Sequence, residues 1–107
     1  MNSIDSLVNP DKLEFIRSHI SQAALYEQLA EECTELAQAA LKKARKIRDE
    51  NYTPLSMSVI DDDLLEEYND VILIANGIFV FDPNRKLLNY KLNRWVDRTY
   101  AKKCSDV

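Results

Sequence analysis

Helix-breaking residues are scarce in this chain: its 107 residues include one glycine and three prolines. Folds with many strands and tight turns use both residue types often, because turns need their special backbone angles. Their scarcity therefore favours long uninterrupted helices. A hydrophobic share of 46% and a charged share of 30% are typical of a globular domain with a core. We expect a single all-α domain over residues 1–107.

Cap signals and apolar spacing divide the chain into four predicted helices. Asn9-Pro10 and Asp82-Pro83 each pair a capping side chain with a proline that fits the first helical turn. Residues 50–59, ENYTPLSMSV, show no apolar period and contain Pro54, so we expect a loop there. The predicted helices cover about 11–18, 21–49, 61–81 and 83–102.

The stretch VILIANGIFVF, residues 71–81, is open to a second interpretation. Asn-Gly between two β-branched runs is a strong signal for a β-hairpin. We favour a helix, because the spacing of three and four residues set by Leu64 and Val71 continues without a break as far as Asn76. An apolar surface on several sides also suits a buried helix.

Two acidic segments, EECTE at residues 31–35 and EEYND at residues 66–70, share one arrangement of two glutamates and a third acid. On an α-helix, the three acids of each segment occupy an arc of about 100° that borders the apolar stripe. Packing the two stripes together would bring acids from both helices to one edge of the core. The acids expected at this shared edge are Glu32, Glu35, Glu67 and Asp70.

These acids permit two interpretations. Charged runs on helices are usually solvated surface, and such a surface needs no ligand. Like charges at helical spacing repel by about 0.2–0.5 kcal/mol per pair, however, and a divalent cation removes that cost. Carboxylate oxygens are the ligands that Mg²⁺ prefers. The chain has a single histidine, His19, and no Glu-x-x-His pair, so a histidine-based metal site is excluded. It also has no Walker loop, so a P-loop nucleotide site is excluded.

Together with their surroundings, the acidic segments resemble the MazG-like all-α nucleoside triphosphate pyrophosphohydrolases. LAEECTELAQAALKKARK is similar to the first core helix of that family, and EEYNDVILIANGI is similar to the second. KLNRWVDR resembles the basic segment of the last helix, and the resemblance covers roughly residues 25–98. The family pattern E-E-x-x-E followed by E-x-x-D falls on Glu31, Glu32 and Glu35, then on Glu67 and Asp70.

Members of that family hydrolyse (d)NTPs to the monophosphate and pyrophosphate with Mg²⁺, so the resemblance implies an enzyme that trims nucleotide pools. It also implies a four-helix bundle completed by neighbouring subunits, in a homo-oligomer that is a dimer or a tetramer. Two departures leave the accepted base and sugar undetermined. The 50–59 segment is longer than the family pattern, and the tail beyond Arg98 has no counterpart.

The resemblance assigns roles to individual residues. The four acids at the shared edge are expected to hold one or two Mg²⁺ ions, which activate a water and neutralise the triphosphate. Glu31 is the candidate base that orients the attacking water, and Glu35 is expected to be catalytic as well as a ligand. Asn76 is expected either to hydrogen-bond the base or sugar, or to be a buried polar residue satisfied at a subunit interface. The cations expected to bind phosphates, each with solvated helix surface as its alternative, are Lys91, Arg94, Arg98, Lys42 and Lys46.

The net charge, the apolar runs and the cysteines indicate which partners and which location to expect. A net charge of −4 argues against a nucleic-acid partner, and no apolar run is long enough to span a bilayer. Two cysteines without disulfide spacing and an N-terminus without signal-peptide features favour a cytoplasmic protein. Two other functions stay open: a non-catalytic helical-bundle module that binds nucleotides or a protein, and a phosphoribosyl-ATP pyrophosphohydrolase-like enzyme.

Overall fold

A computed structural model of the chain describes residues 4, 7–49 and 54–105, and the regular structure in these ranges is helical, with no strand among them. The predicted all-α class is therefore confirmed. No helix in these ranges is both long and apolar enough to cross a membrane. The elements are α1 (Pro10–His19), α2 (Gln22–Arg48), α3 (Met57–Ile72), a π-helix (Leu73–Ile78) and α4 (Arg85–Ser105).

The first two helices begin where their capping residues predict. The Asn9 side chain accepts a hydrogen bond from the Asp11 N–H at 2.8 Å, and Pro10 occupies the first turn of α1. The Ser21 hydroxyl accepts from the Ala24 N–H at 3.1 Å and starts α2. Asp49 ends α2 in the left-handed conformation, with φ at 56°.

Two predicted boundaries are wrong, and in both cases a stronger cap lies elsewhere. Residues 57–59 of the predicted loop belong to α3, because the Ser56 hydroxyl accepts from the Val59 N–H at 3.3 Å and starts the helix early. Residues 50–53 of that loop lie outside the described ranges. The last helix begins at Arg85 rather than Pro83, since Asn84 accepts from the Leu87 N–H at 2.9 Å and replaces Asp82 as the cap.

The predicted third helix changes type before it ends. It is α-helical as far as Ile72, continues as the π-helix and stops at Ile78, so the helix is observed where a hairpin was the alternative. Arg17 of α1 closes the π-helix by donating to the carbonyls of Ile78 and Gly77 at 2.8 and 3.0 Å. A Cβ on Gly77 would lie 3.3 Å from Leu13, so the glycine allows α1 to pack closely.

The core lies between an antiparallel α2–α3 hairpin and α1, which packs on the π-helix. Lys43 pairs with Asp61 near one end of the hairpin, and Glu35 lies beside Glu67 nearer the other. This order shows that α2 and α3 run in opposite directions. Among the described residues the buried apolar side chains are few: Ile4, Leu13, Leu25, Ile60, Ile74 and Ile78.

Helix α4 stands apart from this core. Every residue from 81 to 104 is exposed, and α4 has no extended packing contact with α1, α2 or α3. The chain is accordingly elongated, measuring 55 × 40 × 26 Å with a radius of gyration of 17.9 Å. A compact chain of this length has a radius of gyration of about 13 Å. The four helices therefore do not form a closed bundle within one chain.

Candidate metal centre

Four carboxylates from α2 and α3 meet at one edge of the hairpin. One oxygen from each of Glu32, Glu35, Glu67 and Asp70 lies within 4.8 Å of the others. Glu32 and Glu67 occupy the helix faces that α2 and α3 turn toward each other, one turn from core positions on the same stripes. Antiparallel packing then places the two acidic segments side by side, as the helical spacing predicted.

The surroundings of these carboxylates leave them incompletely satisfied. Glu32 accepts a hydrogen bond from the Gln28 amide at 2.7 Å through Oε1. The Oε2 atoms of Glu32 and Glu67 are buried and have no hydrogen-bond partner in the described part of the chain. A buried acceptor without a partner costs about 1–3 kcal/mol, and more when it is charged. Convergent, desolvated carboxylate oxygens of this kind suit a hard divalent cation.

The pKa values of two of these acids are shifted by partial burial and by the nearby carboxylates. Partial burial raises the pKa of Glu67 above its ordinary value, and the adjacent Glu35 carboxyl and the charges of Asp70 and Glu32 raise it further. The Gln28 hydrogen bond lowers the pKa of Glu32, but burial and the charges of Glu35 and Asp70 outweigh it, so the net direction is upward. Both carboxylates are therefore more costly to ionise in the folded chain than in the unfolded one.

We predict that the metal-free protein becomes less stable as pH rises. Because the pKa values of Glu32 and Glu67 are raised on folding, the native state retains protons that the unfolded state releases near the ordinary glutamate value, roughly 4.3. The free energy of unfolding should fall as pH increases through the window between the unfolded and folded pKa values. Urea denaturation in EDTA at a series of pH values measures this free energy. In the Glu67→Gln variant the free energy of unfolding should depend less on pH. A wild-type profile no steeper than that of Glu67→Gln would contradict the prediction.

The other residues predicted on α2 lie near the cluster but outside it. Glu31 is exposed on the outer side of the acidic arc, next to Glu35. Lys42 and Lys46 are half-buried on α2, at least seven positions beyond Glu35 and therefore about two turns or more from the four carboxylates. The structure does not bring either lysine into the carboxylate cluster.

A cavity of about 580 Å³ lies beside α3 and the π-helix. Tyr68, Asp70 and Asn76 contribute to its lining, together with Leu7, Val8 and Pro83. The Asn76 amide donates to the Phe81 carbonyl at 2.7 Å, so this side chain also holds the segment that leads to α4. Ligand cavities are about 300–1,000 Å³ and mostly apolar with a few polar groups, and this cavity matches that description.

The structure does not bring the predicted α4 cations to the acids of the same chain. Lys91, Arg94 and Arg98 are all exposed, on a helix that has no extended contact with α2 or α3. The guanidinium of Arg94 lies 5.8 Å from the centre of the Tyr90 ring on its own helix. Their proximity to a phosphate site would require a neighbouring chain.

Two features of the site region were not predicted from the sequence. Lys43 forms an ion pair with Asp61 that joins α2 to α3. Arg17 joins α1 to the end of the π-helix through its two carbonyl contacts. Arg17 lies outside the quoted segments and Lys43 lies within LAEECTELAQAALKKARK, but a single basic residue on a helix gives no signal of its partner.

Comparison with known proteins gives no relatives. No protein-family model matches the chain, and neither the curated proteins nor the solved structures include a match. We therefore infer function from the geometry of the carboxylates and from the residue pattern around them.

Proposed function

We propose that this protein is a Mg²⁺-dependent nucleoside triphosphate pyrophosphohydrolase that converts (d)NTPs to (d)NMPs and pyrophosphate. The observation that carries the proposal is the meeting of four carboxylates within 4.8 Å, two of them with buried, unpartnered oxygens. The resemblance of the two acidic segments to the MazG-like pattern supplies the reaction class. The metal site and the reaction class are both proposals for this chain, and each supports the other.

The residues proposed to hold Mg²⁺ are Glu32, Glu35, Glu67 and Asp70. When bound, Mg²⁺ neutralises triphosphate charge and makes a coordinated water more acidic. Four carboxylates exceed what one magnesium ion ordinarily takes from protein, since it keeps several water or phosphate ligands. The cluster therefore suits one or two ions with positions left for the substrate.

The remaining steps belong to side chains of the protein. Glu31, exposed beside the cluster, is proposed to accept a proton from the water that attacks the α-phosphorus. The bond from the α-phosphorus to its bridging oxygen then breaks, and pyrophosphate leaves with the bonding electrons. The cavity lined by Tyr68, Asp70 and Asn76 adjoins the cluster and is proposed to receive the base and sugar.

The active form is proposed to be a homo-oligomer, either a dimer or a tetramer, in which a neighbouring chain completes the helical bundle. Among the described residues α4 is exposed and has no extended contact with α2 or α3, so such an assembly is proposed to bring its cations to the phosphates. The free cysteines Cys33 and Cys104 are both exposed, which suits the reducing cytoplasm proposed as its location.

The test is a panel of (d)NTPs incubated with the purified protein and Mg²⁺, with pyrophosphate and orthophosphate measured separately. We expect pyrophosphate and a nucleoside monophosphate in equal amounts, with no orthophosphate before a pyrophosphatase is added. EDTA should stop the reaction. Release of orthophosphate, or nucleotide binding without any turnover across the panel, would overturn the proposed activity and favour a binding module.

A further inference from the structure

The π-helix contributes to the wall of the cavity that adjoins the carboxylate cluster. Leu73 and Asn76 line this cavity, and Asp70 lies both in the cavity lining and among the four carboxylates. Helices of this type are rare and occur mostly as single turns, frequently at functional sites. The orientation of Leu73 and Asn76 therefore depends on an uncommon backbone conformation.

The π-helical backbone sets the direction in which Asn76 and Gly77 face. At about 4.4 residues per turn a π-helix rotates by about 82° per residue, whereas an α-helix rotates by about 100°. Over the four steps from Ile72 to Asn76 the difference amounts to about 70°. An α-helical backbone here would turn Asn76 away from the cavity. It would also turn Gly77 away from Leu13, which lies 3.3 Å from the position that a Cβ on Gly77 would take.

Arg17 of α1 caps the end of the π-helix from outside. The last carbonyls of a helix lack a partner within the helix itself. The Arg17 guanidinium donates from Nε to the Ile78 carbonyl at 2.8 Å and from Nη2 to the Gly77 carbonyl at 3.0 Å. Its Nη1 donates to the Glu14 carboxylate at 2.8 Å, which orients the guanidinium from its own helix. Because hydrogen bonds from a charged donor are about twice as strong as neutral ones, this fork ties α1 firmly to the π-helix.

The residues that lead into α1 form a second wall of the same cavity. Ile4, Leu7 and Val8 contribute to its lining. The side chain of Ile4 also lies 3.5 Å from the position of a Cβ on Gly77, so this wall approaches the π-helix closely. Both walls are therefore joined through α1, and Arg17 supplies hydrogen bonds that hold α1 against the end of the π-helix.

We propose that Arg17 is a positioning residue for nucleotide binding, whose two carbonyl contacts keep the π-helix in register and the cavity shaped for the base and sugar. The inference rests on the proposed function for the identity of the ligand, and it adds a residue that lies outside both acidic segments. In the described part of the chain the hydrogen bonds of Arg17 go to Gly77, Ile78 and Glu14. Arg17 therefore acts on the nucleotide through the backbone.

Steady-state kinetics separate this role from a role at the metal centre. Arg17→Met keeps an unbranched side chain and removes the donors. We expect KM to rise about tenfold and kcat to stay within about twofold of wild type, because binding must first restore the cavity whereas the chemical step is unchanged. The Mg²⁺-dependent rise in melting temperature should be retained, since the four carboxylates precede the π-helix. Arg17→Lys keeps a charged donor and should recover part of the loss in KM.

Lys12→Met is the matched control, because it removes one positive charge from an exposed position on the same helix. Its KM should stay within about twofold of wild type. Equal KM values for Arg17→Met and Lys12→Met would overturn the inference. A loss of kcat and of thermal stability in Arg17→Met without a change in KM would overturn it too, since that pattern is typical of a purely structural residue.

Hydrogen–deuterium exchange tests the backbone part of the inference without turnover. In the nucleotide-free protein, Arg17→Met should speed amide exchange at residues 73–81 at least about fivefold and leave residues 57–72 within about twofold of wild type. Unchanged exchange at residues 73–81 would overturn the inference even if KM rose. A wild-type protein that neither hydrolyses nor binds any (d)NTP would instead refute the proposed function, and with it the ligand assigned to the cavity.

Discussion

Replacing Glu67 with glutamine is expected to abolish pyrophosphate release from (d)NTPs while the protein stays folded. Glu67 lies among the other three carboxylates, and one of its oxygens is buried without a hydrogen-bond partner in the described part of the chain. A neutral amide is a poor ligand for Mg²⁺ and withdraws a negative charge from the centre. The rate should fall about a thousandfold, which corresponds to about 4 kcal/mol of transition-state stabilisation.

The neighbouring glutamate provides the matched control. Glu66→Gln makes the same chemical change on the same helix, but Glu66 is exposed and outside the cluster, so its rate should stay within about twofold of wild type. Without metal, Glu67→Gln should be slightly more stable than wild type, because it removes a repelled, desolvated charge. Full activity in Glu67→Gln, or in the parallel variants Glu35→Gln and Asp70→Asn, would refute the metal assignment.

Addition of Mg²⁺ should raise the melting temperature substantially. An ion that binds the folded chain and not the unfolded one stabilises it by about 2.7 kcal/mol at a hundred times its dissociation constant. For a domain of this size that corresponds to a rise of about 10–20 °C. The unpartnered oxygens of Glu32 and Glu67 are the groups whose burial the ion would compensate. Thermal unfolding followed by circular dichroism, with EDTA or with MgCl₂, measures the rise.

Ionic strength must be separated from specific binding in this experiment. Salt alone screens the repulsion among the carboxylates, so NaCl at the same ionic strength gives the non-specific part of the shift. Glu67→Gln should lose most of the Mg²⁺-specific part, and Glu66→Gln should retain it. An equal rise in melting temperature with NaCl and with MgCl₂ would show that the acids are only a solvated surface. That is the second interpretation that the sequence permits.

Local signals in the sequence were sufficient for the helices but less so for their ends. Asn9 and Ser21 cap their helices through side-chain contacts within three residues, so short-range pattern reading finds them. At 82–84 the two capping candidates Asp82 and Asn84 lie two residues apart, and the spacing alone does not choose between them. The cap Ser56 was missed because it lies in the aperiodic segment that contains Pro54. The π-helix carries no local signal, since its Arg17 contacts join residues about 60 positions apart.

Part of the candidate site could likewise be predicted from the sequence, and part could not. The acids of α2 and α3 could be placed together because their helical phase follows from spacing and the two helices are sequence neighbours. The cations of α4 could not be placed, because α4 has no extended packing contact with α2 or α3 in the described part of the chain. The Lys43–Asp61 ion pair depends on the register between helices, which a pattern of single residues does not determine.

The π-helix has a consequence for how such chains could diverge. Each of its turns takes up an additional residue relative to an ordinary helical turn. Six residues at about 4.4 per turn rotate the chain by about 490°, close to the roughly 500° that five residues cover in an α-helix. Deleting one residue between 73 and 78 would therefore restore the regular repeat while everything downstream keeps nearly the same azimuth. A chain so shortened would keep both its carboxylates and the direction of its final helix, so this short stretch is a place where one codon can be gained or lost without re-aiming either.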